Sequence, residues 1–123
     1  MKPIIFILLL TICSQVQAQQ PEWKEYKAFY DLVQPVLHPA EYGDLKPVKD
    51  SAELLMSRAK AWMESAIPAV YPATAIKKSL AELYRLCGDL VNGIRDHKTD
   101  EEIGILAIKV HNKFHYISGR QMR

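Results

Sequence analysis

His111 and His115 stand four residues apart in the run Val110-His111-Asn112-Lys113-Phe114-His115-Tyr116. On an α-helix that spacing places two imidazoles on one face, a turn apart, where both can reach a single metal ion. Imidazole nitrogen suits copper, zinc and nickel, and also haem iron, so a transition metal or haem b is the cofactor such a pair could hold. A complete site usually takes three or four ligands. Met63, a soft thioether, is the further donor that the fold derived below would bring to the same end. The plainer reading stays open beside this one: two partly exposed histidines on a helix flank, one of them hydrogen-bonded to a neighbouring helix.

The other two histidines read differently. His97 ends a helical stripe, where a cation interacts favourably with the negative end of the helix dipole. His38 precedes Pro39 at a helix exit and reads most simply as a turn residue, the alternative being a shared site with His97 at that end. The sequence has no Gly-rich phosphate loop, no paired catalytic carboxylates and no Ser-His-Asp pattern. A binding protein, not an enzyme, is therefore the expectation.

The elements that must position the histidines show helical periodicity throughout. Trp23, Tyr26, Tyr30, Val33 and Leu37 form the first stripe, on a helix of roughly residues 22 to 38. Pro35, which lacks a backbone donor, predicts a kink or an early end there. After the link 38 to 43, Asp44 offers an N-cap and Pro47 fits the first turn. The second stripe is Leu45, Val48, Ala52, Leu55, Ala59, Trp62 and Ala66, closed by Pro68 and Pro72. The third, Ile76, Leu80, Leu83, Cys87, Leu90, Ile94 and His97, predicts a helix of about residues 74 to 97 with Cys87 as a small buried residue. Thr99 and Glu102 then form a capping box, and Ile103, Ala107, Val110, Phe114 and Ile117 make the fourth stripe, with Gly119 as the expected C-cap.

Four amphipathic helices joined by short links pack most readily as an antiparallel up-down-up-down four-helix bundle, an all-α fold. At 1.5 Å per residue the helices are about 25 to 35 Å long. In that arrangement His111 and His115 share an end with Trp23, Tyr26, Trp62, Met63 and Tyr71, while His38 and His97 belong at the opposite end.

The N-terminus bounds location. Lys2, the apolar run from Ile4 to Leu10 and the ending Val16-Gln17-Ala18 make the three-part pattern of a secretory signal, with cleavage after Ala18. Residues 1 to 18 are thus read as the signal peptide and 19 to 123 as the bundle domain, periplasmic or secreted. The alternative is lipidation at Cys13, although Ile12 stands where that processing wants a small residue. No segment reaches the ~20 apolar residues of a membrane span. Without Lys2, the chain's sixteen Lys and Arg become fifteen against fourteen Asp and Glu. A balance that close to neutral does not suit a nucleic-acid binder. Without Cys13, only Cys87 remains, so the core must supply stability without an internal disulfide. The oligomeric state is left open.

The whole of 19 to 123 resembles the small periplasmic four-helix cytochromes of the b type and their cytochrome c-prime-like relatives. The likeness lies in the signal, the short first helix, Val48-Lys49-Asp50 opening the second, its proline-containing exit, the long third helix, and the terminal Phe114-His115-Tyr116 followed by basic residues. It implies a haem-binding bundle in which His115 ligates the iron. No Cys-x-x-Cys-His motif is present, so such a haem would be held noncovalently, and the first helix has Trp23, Tyr26 and Phe29 where the b-type relatives place a methionine. The rival expectation, from a different class, is a cofactor-free envelope protein that acts by helix packing, with an apolar patch around Phe29, Val36 and Ile108.

Overall fold

Pro35 does not end the first helix. In the computed structural model, which describes residues 22–123, α1 (Lys24–Leu32) runs into a π-helical turn (Val33–Leu37) and on through α2 (His38–Glu41) as one rod. The wider π turn absorbs the missing donor of Pro35, and His38 N–H closes it on the Val33 carbonyl. The proposed signal, its cleavage after Ala18 and Cys13 lie outside the described residues.

Three more helices follow: α3 (Lys46–Glu64), α4 (Ala73–Arg95) and α5 (Asp100–Tyr116), the last extended by a second π turn (Ile117–Gln121). There is no strand among the described residues, and the four rods pack against one another. Local chemistry explains the boundaries. The Asp44 carboxylate accepts the Lys46 N–H at the start of α3, at 3.3 Å. The capping box at α5 forms as the sequence predicts: Thr99 Oγ1 accepts the Glu102 N–H and the Glu102 carboxylate accepts the Thr99 N–H. Gly119 does not cap α5, because the π turn carries the helix beyond it and closes with Met122 N–H on the Ile117 carbonyl. Buried Met122 anchors that extension.

The stripes of α3, α4 and α5 are the core. Val48, Leu55, Ala59 and Trp62 meet Ile76, Leu80, Leu83, Cys87 and Leu90, with Ile103, Ala107, Val110, Phe114 and Ile117 completing it; the outliers are Ala66 and His97, which are exposed, and Ile94, which is half-buried. On the first rod Trp23, Val33 and Leu37 of the predicted stripe are buried and Tyr26 is partly buried, whereas Tyr30 lies 54% exposed and Phe29, Leu32, Val36 and Ala40 add to the buried face. The apolar patch expected around Phe29 and Val36 is therefore core, and only Ile108 of that trio reaches the surface.

Residue pairs fix how the rods meet. Trp23, just before α1, stacks on Tyr71 and donates its indole N–H to Ser65 Oγ (2.8 Å) past the end of α3. Arg95 at the end of α4 pairs with Glu53 of α3, and Lys49 near the start of α3 pairs with Asp100 at the start of α5. Lys113 of α5 reaches Glu82 of α4, and that ammonium holds the Glu82 carboxyl below its ordinary range.

Candidate metal centre

Three of the chain's four histidines converge. His38 at the start of α2 and His111 and His115 on α5 each offer a ring nitrogen, and these atoms all lie within 4.8 Å of one another. The His111 and His115 rings are 4.3 Å apart between centroids, and His38 lies 5.1 Å from His111 and 6.5 Å from His115. The i, i+4 pair is thus part of a three-histidine cluster bridging the first and last rods. His38 was expected at the far end with His97, and this placement overturns that expectation.

Two features of the backbone account for the difference. First, the rods are offset. The first rod ends at Glu41, which contacts His111 in the body of α5, and the chain then descends through Leu45 beside Gly104 to reach Lys49 beside Asp100. The exit of the first rod therefore lies well above the start of α5. Second, the π turn changes the phase. On an uninterrupted helix at 100° per residue, His38 lies nine residues beyond fully buried Phe29 and would point to the opposite side, into solvent. The extra residue in the π turn retards the rotation by about 100°, which brings His38 to the flank facing α5. Pro35 was the sequence signal for that turn.

Glu41 is the residue that the sequence did not single out. Its Oε1 lies 3.1 Å from His111 Nε2, which in turn lies 3.0 Å from His115 Nε2. A single N–H on His111 can be given to only one of these acceptors at a time. Asn112 Oδ1, at 3.5 Å from His111 Nδ1, offers that nitrogen a long partner as well. A proton at Nδ1 would leave a bare Nε2 lone pair facing a carboxylate and a second imidazole. Electron-rich atoms then face one another with too few protons between them, an arrangement that a cation relieves.

His115 is held in its neutral form. Burial first, and then the rings of His111 and His38, push its pKa below the ordinary imidazole value, while the Glu41 carboxylate pulls the other way. At neutral pH it is thus mainly an uncharged ring, the form that ligates metals. Three imidazoles at 2.0–2.1 Å around zinc stand about 3.3 Å apart in tetrahedral geometry. The His111–His115 separation is close to that already, and His38 needs only a side-chain adjustment of about an ångström or two.

Met63 does not join them. It lines a separate groove with Ser65, Ile67, Ala73 and Lys77, between the end of α3 and the start of α4. His97 closes the C-terminus of α4 in a left-handed conformation, φ 53°, with its N–H on the Ile94 carbonyl and that of Lys98 on the Gly93 carbonyl. Cys87 is wholly buried and its thiol is pushed up to about 12 by burial, so it offers no thiolate. A groove of about 390 Å³ flanks the cluster, with His38 and His115 in its wall beside Phe114, Pro35, Gln34, Asp31, Val33 and Tyr30. No helix among the described residues is long and apolar enough to cross a membrane. Comparison with protein-family models, curated proteins and solved structures finds no match to this chain.

Proposed function

We propose that this chain is an exported binding protein, periplasmic or secreted, built as an antiparallel up-down-up-down four-helix bundle that holds a divalent transition metal at His38, His111 and His115. The observation that carries this reading is the convergence of three imidazole nitrogens within 4.8 Å, with the Glu41 carboxylate against one of them. Three nitrogen donors and one carboxylate oxygen suit zinc, nickel or copper(II); copper(I) favours thiolate and thioether donors, and Met63 and Cys87 lie elsewhere. Export rests on the signal pattern in residues 1 to 18. The activity proposed is binding and not catalysis.

A bare ion fits better than haem b. A porphyrin ligated by His115 would extend alongside Phe114, and the interior there is already filled: Phe114 packs against Phe29 at 5.6 Å and Trp62 at 6.2 Å between ring centroids. All three rings are fully buried. Opening a slot for a macrocycle would cost several of these contacts.

The test is titration of the metal-free purified protein, residues 19–123, with zinc against a chromophoric chelator, together with elemental and optical analysis of protein taken from its native envelope. Stoichiometric zinc uptake that His115→Ala removes is the expected result. Equal uptake by wild type and variant, or a Soret band with iron as the sole bound metal, would overturn the assignment; protein free of metal and unable to take it up would favour the cofactor-free interaction protein.

A further inference from the structure

The metal site opens sideways into a space far larger than an ion requires. A metal-bound water occupies roughly 30 Å³, whereas the adjoining groove measures about 390 Å³, within the range of small-molecule pockets. Two of the three metal-ligating residues, His38 and His115, form part of its wall, while His111 and Glu41 do not. A metal held by the three rings therefore has Glu41 on one side and the open groove on the side of His38 and His115. Whatever occupies the groove reaches the metal directly.

The remaining lining indicates what that occupant is. Phe114, Val33 and Pro35 supply apolar contact, Gln34 and the Tyr30 hydroxyl supply neutral hydrogen-bonding groups, and Asp31 supplies the one charged group. No cation reaches Asp31 in an ion pair among the described residues, so its carboxylate is available to a cationic ligand. We infer that the groove binds a small amine-bearing ligand, whose imidazole or carboxylate occupies the open metal position and whose ammonium faces Asp31. The cargo is then a metal–ligand complex. This rests on the metal reading above, and zinc, cobalt or nickel can add the extra donor by expanding its coordination.

Cobalt(II) and two imidazole probes, one with an ammonium arm and one without, separate the possibilities. Histamine carries an imidazole and an ammonium; 4-methylimidazole carries the imidazole alone. Cobalt-loaded protein is titrated with each, with the cobalt d–d bands reporting the coordination shell and native mass spectrometry reporting the ternary complex. Histamine is expected to bind about two- to fivefold more tightly than 4-methylimidazole, the value of an ion pair at an exposed carboxylate. Asp31→Asn, outside the set of metal ligands, should bring the two probes to parity. If cobalt binds but neither probe shifts its bands, or histamine strips the cobalt with no ternary mass, the inference falls and the metal site stands. Equal affinity of the two probes for the wild type, or a preference that persists in Asp31→Asn, also overturns it. Absence of cobalt bands in the wild type overturns the metal site and the inference together.

Discussion

Glu41 Oε1 lies 3.1 Å from His111 Nε2, a contact between the last residue of the first rod and the body of the last. With His111 only 12% exposed and Glu41 36%, the pair sits at a semi-buried edge where a carboxylate counts for more than at an open surface. Glu41→Gln keeps the shape and removes the charge. It should weaken zinc about 10- to 100-fold, the usual effect of losing a supporting carboxylate. Chelator competition at fixed pH measures this; unchanged affinity would show that the carboxylate neither ligates nor supports the metal.

Because His38 belongs to the cluster and His97 does not, their alanine variants separate a three-histidine site from a pair on α5. His38→Ala should lose as much zinc affinity as His115→Ala, and His97→Ala should bind as the wild type does. Zinc that stabilises the protein by about 2.7 kcal/mol at a hundred times Kd should raise the thermal midpoint by roughly 10 °C or more. That upshift should vanish in His38→Ala. A full upshift in this variant would return the site to His111 and His115 alone.

His97 offers a prediction about the fold independent of any ligand. Its φ of 53° lies in the left-handed region, where a residue with a Cβ is strained and glycine is not. The Schellman pair of hydrogen bonds, to the Ile94 and Gly93 carbonyls, is made by backbone and survives substitution. His97→Gly should stabilise the protein by about 0.5–1 kcal/mol. Urea unfolding with an unchanged m-value would show it, and a lowered midpoint would mean that the imidazole itself contributes at this helix end.

The legible parts of this chain were those where one helix repeats one pattern. Leu55, Ala59 and Trp62 on α3 or Val110, Phe114 and Ile117 on α5 could be placed in the core by counting three and four, because no interruption disturbs the 3.6-residue period there. The Thr99–Glu102 box was equally local. Counting failed where the period changed, at Pro35, and where helix ends were assumed level. Within α1, ahead of the π turn, Phe29 faces the core and Tyr30 does not, while the π turn and the offset rods together moved His38 from the far end to the histidine cluster. His111 and His115 were visible because they lie on one helix; His38 and Glu41 were not, because their proximity depends on how two rods slide past one another.

Acid should weaken both the fold and the site through His115. Its pKa in the folded protein is held below the 6.5 of a free imidazole, by burial and by the two neighbouring rings. Below pH 6.5 the unfolded chain thus takes up a proton at this position more readily than the folded one, and protonation favours unfolding. The stability tied to a neutral His115 is fully present above 6.5 and is lost as pH falls from there through the lower folded value. Metal-free His115→Gln should accordingly show a flatter decline than the wild type between pH 7 and pH 5 in urea unfolding. Zinc competes with the same protons, so zinc-loaded wild type should decline more steeply than either across that window. Parallel pH profiles for the metal-free wild type and variant would mean that His115 is as free in the fold as in the open chain.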